Sequence, residues 1–211
     1  MLDYLIELDK VLFFLINVYL AGPVTNAVMP IITNDNLLRL IYAGVVVSLL
    51  WFGDKRLRWL ALFSVFTIVA TDQLSAGFLK PLIARPRPCH VFTDINLLVG
   101  CGGGFAMPSS HAANVFGQAF LLSRNVKHIG WPFFIFAILV AVSRIFVGVH
   151  YPGDVLGGFV VGMVCGLVIS WLYKRFIRII YPQRKADNDK IESDQDQPSS
   201  EMPADTSDRA N

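Results

Sequence analysis

The residues best suited to chemistry lie in the run Ser-Arg-Ile-Phe-Val-Gly-Val-His-Tyr-Pro-Gly-Asp, from Ser143 to Asp154. Here an arginine, a histidine and an aspartate interrupt two long apolar stretches. Ionisable groups at the edge of a bilayer are costly, so by default they mark a site. His150 and Asp154 are four residues apart, close enough for the carboxylate to meet one ring nitrogen. That pairing fixes the tautomer and leaves the other nitrogen free as a nucleophile. Asp154 also begins an apolar run, so capping a helix is its ordinary alternative. Arg144 ends the preceding run and can reach the same anion.

Two further clusters fit only if they fold against this one. Lys80 to Pro88 carries Lys80, Arg85 and Arg87 on a backbone stiffened by Pro81, Pro86 and Pro88. Crowded like charges repel unless an anion sits among them, and arginine grips a phosphate-sized anion through two N–H groups. Pro108-Ser109-Ser110-His111 opens another helical stretch. Ser109 or Ser110 caps it, the first-turn N–H groups suit an anion, and His111 adds a proton donor. Taken alone, capping explains both serines.

The elements that must position these residues are apolar. The chain of 211 residues is 54% hydrophobic, with a mean hydropathy of +0.52, too apolar for an ordinary soluble domain. A net charge of +2 gives no case for a nucleic-acid binder built on a basic face. Six apolar runs predict an all-α bundle of six transmembrane helices. They cover Tyr4 to Leu20, Leu37 to Phe52, Leu57 to Leu82, Ser110 to Leu122, Trp131 to Val147 and Asp154 to Ile177. The first begins with Asp3, Glu7 and Asp9 and lacks a basic n-region, which argues against a removable signal peptide.

Lysine and arginine gather after the second run (Lys55, Arg56, Arg58), after the fourth (Arg124, Lys127) and at the C-terminal end (Lys174, Arg175, Arg178, Arg184, Lys185). This places the N- and C-termini in the cytoplasm and the three clusters at the periplasmic or outer face of an inner membrane. Residues 21–36, with the triplet Asn34-Asp35-Asn36, read as an outer loop with room for a short interfacial helix. Asp72 reads first as a packing group between helices, with a functional carboxylate as the alternative. Gln73 and Lys80, seven apart, are expected on one helix face. Cys89 and Cys101 on the outer face either form a disulfide or stay free, and Cys165 is expected to be a small buried residue. One transmembrane domain over residues 1–181 is followed by a disordered cytoplasmic tail, Pro182 to Asn211.

In order, the clusters are Lys-x6-Arg-Pro (Lys80, Arg87, Pro88), Pro-Ser-x-His (Pro108, Ser109, His111) and Ser-Arg-x5-His-x3-Asp (Ser143, Arg144, His150, Asp154). Together they resemble the signature of the type 2 phosphatidic acid phosphatase superfamily. Ser110 stands where that family usually has glycine. The resemblance implies that His150 attacks phosphorus and forms a phosphohistidine, with Asp154 orienting it. It implies that His111 protonates the leaving oxygen and then activates water. Lys80, Arg87, Arg144 and Ser109 are implied to hold the non-bridging oxygens, with the N–H and hydroxyl of Ser110 adding contacts. Cations then replace a metal, so no cofactor is expected, and no cluster of metal-ligand spacing stands out in the sequence. The implied partner is a membrane lipid phosphate within the bilayer: undecaprenyl diphosphate, phosphatidylglycerol phosphate, phosphatidate or lipid A phosphate. Family frequency favours the first. A lipid phosphotransferase, or an anionic-lipid transporter or flippase, is the alternative.

Overall fold

Helices form where the apolar runs lie, and polar caps or prolines mark their starts. The computed structural model describes residues 1–126 and 130–182. Among these residues the secondary structure is entirely helical. α1 (Leu2–Phe14) continues through a π-helical turn, Leu15–Tyr19. α2 (Pro23–Ile32) opens on a proline, whose missing N–H is harmless in a first turn. α3 (Asp35–Trp51) is capped by Asn34, whose side-chain oxygen accepts from the N–H groups of Asn36 and Leu37, each at 3.0 Å. α4 (Lys55–Asp72), capped by Asp54, runs through a π-helical segment, Gln73–Leu79, into α5 (Lys80–Ile83). Then come α6 (Pro88–Val91), α7 (Ser110–Asn125), α8 (Gly130–Phe146) and α9 (Pro152–Ile180).

The stretches Lys55–Val91 and Pro152–Ile180 are long and apolar enough to cross a membrane. A third candidate is the pair Asp3–Tyr19 and Pro23–Ile32, bent by 112°. Each of the six apolar runs is helical, with ends shifted by a few residues. The short helix allowed for within residues 21–36 is α2, Pro23–Ile32. Two readings need correction. The shared face of Gln73 and Lys80 assumed an unbroken α-period, and the π-helical segment between them removes that basis. Insertions of this kind gather at functional sites. Cys165 is a free thiol of intermediate burial, because it lies on a partly exposed face of α9. Lys127 and the tail from residue 183 onward fall outside the described residues.

The site belongs to the compact unit Met1–Arg175. α7 is the hub of that unit. Against α4 it is fixed by Ser64 Oγ donating to Gln118 Oε1 (2.7 Å), by Gln118 Nε2 returning a bond to the Ser64 carbonyl (2.9 Å), and by Thr71 Oγ1 donating to Asn114 Oδ1 (2.6 Å). Interhelical bonds of this kind contribute about 0.6 kcal/mol each in a bilayer, so their main effect is to set register. Against α9 it is held by bare backbone contact. A methyl group at Gly162 would lie 2.5 Å from the Ala113 carbonyl oxygen, and one at Gly166 would lie 2.6 Å from that of Gly117. The small residues of α9 therefore let two backbones touch. Phe13 stacks on Phe92 with ring centroids 6.4 Å apart and meets Tyr151 edge-on at 5.4 Å.

Candidate active site

Four chain segments bring their ends together on one side of the bundle: the end of α5, the start of α7, the end of α8 and the start of α9. They are tied directly. The Ser109 N–H donates to the Asp154 carbonyl at 2.9 Å, joining the first turns of α7 and α9. The Ala106 N–H donates to the Arg85 carbonyl at 2.7 Å, joining the loop before α7 to the cationic segment. Asn17, fully buried in the π-helical turn after α1, donates to the carbonyls of Phe146 (2.8 Å), Ile145 (3.2 Å) and Asn96 (2.9 Å). It thereby satisfies the last carbonyls of α8, which carry no partner within the helix.

His150 sits at the centre, 1% exposed, on the turn between α8 and α9. Burial, reinforced by the charges of Arg144, Arg87, Lys80 and His111, pushes its imidazole well below the ordinary histidine value. The ring is therefore neutral, and those four residues are the sequence-predicted ones gathered around it. The Nε atoms of Arg87 and Arg144 are buried and have no hydrogen-bond partner among the described residues. Buried donors without a partner are uncommon in folded proteins. Arg87 is held in place by the carbonyls of Cys101 (3.1 Å) and Gly103 (3.5 Å). Those carbonyls lie in or next to the loop that a disulfide closes between Cys89 and Cys101.

Asp154 is in place but differently engaged than its spacing suggests. Its Oδ2 is 3.5 Å from His150 Nδ1, too long for a firm hydrogen bond. The same oxygen accepts from the Tyr151 N–H at 2.8 Å, so Asp154 reaches back to cap the helix from its third position. Its Oδ1 accepts from Arg85 Nη1 at 2.8 Å. Arg85 also donates through Nη2 to Asp9 Oδ2 at 2.7 Å, and its guanidinium lies 4.0 Å from the Tyr151 ring centroid. Asp9 Oδ1 in turn accepts from the Gly153 N–H at 2.7 Å. The fully buried aspartate is thus one end of a bridge, Asp9–Arg85–Asp154, that α1 anchors.

Sequence spacing alone groups Arg85 with the other cations of its segment and Asp9 with the acids that open the first run. Ser109 caps α7 through a long, 3.5 Å contact to the Ala112 N–H. The Ser110 hydroxyl pairs with that of Ser75 at 3.1 Å, so the structure commits it to the π-helical segment. Arg144 Nη1 donates to the buried Thr33 hydroxyl at 2.6 Å, and His111 Nε2 lies 2.7 Å from Asp35 Oδ1. Neither Thr33 nor Asp35 stood out as a site residue in the sequence. A cavity of about 550 Å³ opens from Ser110 and His111 and continues between α3, α4, α7 and α8. Leu38, Ile41, Val45, Ile68, Val115 and Phe133 supply apolar wall, and Asp72, read as a packing group, lines the cavity as well.

With helices long and apolar enough to cross a bilayer, this is a membrane protein, and the charges of Arg144, Arg87 and Lys80 act on a buried imidazole where its helices end. Its family follows from likeness across most of the chain: residues 59–178 match the PAP2 superfamily, and the chain belongs to that superfamily as a phosphatase of the PAP2 type. It is 32% identical over 185 residues to the lipid A 4'-phosphatase of Bacteroides thetaiotaomicron, which covers 82% of this chain and 78% of that protein. It is also 32% identical over 142 residues to the undecaprenyl-diphosphatase BcrC of Bacillus subtilis, covering 67% of this chain and 70% of that protein. The crystal structure of a PAP2-type phosphatidylglycerolphosphate phosphatase from Bacillus subtilis shares the fold, with a TM-score of 0.68 at 23% identity over 87% of this chain and 90% of that one.

Proposed function

We propose that the protein is an inner-membrane lipid phosphatase that acts through a phosphohistidine, with undecaprenyl diphosphate as its first candidate substrate. The observation that carries this reading is the buried His150, acted on by the charges of Arg144, Arg87, Lys80 and His111. A neutral imidazole keeps a lone pair for attack, and the surrounding cations favour the charge that develops on the phosphoryl oxygens. Because His150 Nδ1 faces Asp154, Nε2 is the attacking atom.

In the first step the N–P bond forms as the P–O bond to the lipid breaks. The electron pair goes to the leaving oxygen, which takes its proton from His111. In the second step a water oxygen bonds to phosphorus and gives its proton to His111. The P–N bond then breaks and its electron pair returns to His150. Ser109 and the N–H groups at the start of α7, that of Ser110 among them, hold oxygens beside the three cations. The mainly apolar cavity beside His111 suits a lipid whose tail stays at bilayer depth. The basic residues Lys55, Arg56, Arg58, Lys174 and Arg175 lie at the opposite ends of α4 and α9. On the positive-inside rule they favour cytoplasmic termini and an outward-facing site.

The test is phosphate release by purified protein in detergent, with EDTA present, from undecaprenyl diphosphate, lipid A, phosphatidylglycerol phosphate and phosphatidate. Release that His150→Ala abolishes is expected. Release that survives in His150→Ala would remove the phosphohistidine, and folded protein inactive on every lipid would remove the phosphatase reading of this site.

A further inference from the structure

The corner between α2 and α3 has three consecutive residues, each with a defined contact. Thr33, 3% exposed, accepts a hydrogen bond from Arg144 at 2.6 Å. Asn34 caps α3 and so fixes the direction in which the helix leaves. Asp35, the first residue of α3, places Oδ1 2.7 Å from His111 Nε2. The corner is separated from His111 by 76 residues and from Arg144 by 111, yet it touches both.

We propose that Asp35 is a positioning residue for His111, and that the Thr33-Asn34-Asp35 corner is a fourth component of the active site, serving the proton-transfer step. The proposal rests on the reading of His111 as the proton donor to the leaving oxygen. A general acid must hold a proton and must face the atom that receives it. The charged side chains that act on His111 from α5 and α8 are Lys80 and Arg144, both cations that disfavour a second positive charge. Arg39 and Asp72 line the same cavity from α3 and α4. Among the described residues, Asp35 is the carboxylate within hydrogen-bonding distance of the ring. A carboxylate there stabilises the protonated imidazole and stops the ring from rotating, as an outer carboxylate does for a ligating histidine. Asp35 itself exchanges no proton: the proton lost to the leaving oxygen comes from His111 and is replaced from the attacking water.

Leaving groups separate this role from a structural one. Two monoesters with matched apolar tails serve as probes, an alkyl phosphate and a nitrophenyl phosphate. An alkoxide must be protonated as it departs, whereas nitrophenolate departs without a proton. kcat/KM reports every step through that departure. Asp35→Asn should lower kcat/KM on the alkyl ester by about ten- to a hundred-fold, in line with loss of an orienting carboxylate. The loss on the nitrophenyl ester should be much smaller, and Asp35→Glu should recover part of the alkyl activity. Asp35 is 64% exposed at its side chain, so these variants should fold. Equal losses on both esters would overturn the proposal. So would a lower KM with unchanged kcat, which would make Asp35 an anion that substrate displaces. Wild-type protein that releases phosphate from neither ester nor from any lipid of the panel above would instead sink the phosphatase reading on which the proposal rests.

Discussion

Replacing Asp9 with alanine should weaken the protein well beyond the usual effect of a change in its N-terminal helix. Asp9 makes two contacts, Oδ2 to Arg85 at 2.7 Å and Oδ1 to the Gly153 N–H at 2.7 Å. The ion pair is largely shielded, with side-chain exposures of 20% for Arg85 and 14% for Asp9. A charge-assisted bond in such a setting contributes about 1.5–3 kcal/mol. A side chain satisfying a first-turn N–H contributes about 1 kcal/mol. Arg85 keeps its second carboxylate, Asp154, so removing Asp9 does not strand a buried charge. The expected loss is therefore about 2–3 kcal/mol, below the value for breaking an isolated buried pair. The assay is a double-mutant cycle with Arg85→Ala, read by unfolding in detergent, with kcat and KM measured on the same preparations. Coupling of about 1–2 kcal/mol is expected, with kcat reduced more than KM is raised, because Asp154 loses its anchored partner beside His150. If the single-mutant losses sum to that of the double mutant within about 0.5 kcal/mol, the bridge is only a proximity and the reasoning fails.

Gly162→Ala should cost about 1–3 kcal/mol, since its methyl would meet the Ala113 carbonyl at 2.5 Å and force α9 from α7. Gly44→Ala, in mid-α3 with nothing within 4 Å of the new methyl, should instead stabilise by up to about 1 kcal/mol. Unfolding midpoints that move in the same direction for both would contradict the packing account. The lowered pKa of His150 means that the neutral, nucleophilic ring persists as pH falls past the ordinary histidine value, and protonation removes it only below that point. An NMR titration of the His150 ring should show this. A midpoint at or above the ordinary value would mean that burial and the surrounding cations do not govern the group.

The sequence marked the helices well because hydrophobic runs of bilayer length are a local signal. The start of α3 at Asn34 and that of α7 at Ser109 are also local, since a cap acts within three residues. The three charged clusters were legible for the same reason: Lys80 with Arg87, Ser109 with His111, and Arg144 with His150 and Asp154 are each set by short spacing. What the sequence alone did not reveal is which groups meet across the fold. Arg85 reaches Asp154 over 69 residues and Asp9 over 76, and Arg144 reaches Thr33 over 111. No helical period connects such pairs; they exist because the bundle ends converge. The small residues Gly158, Gly162 and Gly166 recur every fourth position and were a readable sign of close helix contact, but their partners on α7 were not. The π-helical segment before Lys80 also has no local signature. The chain by itself therefore determined which residue types stand ready for phosphate chemistry and on which helices. Only the tertiary structure decided that Asp154 is bound to Arg85 as well as set beside His150, and that Asp35 stands against His111. Hydrogen-bond pairing depends on distances of about 3 Å between atoms, which sequence spacing does not specify beyond a helical turn.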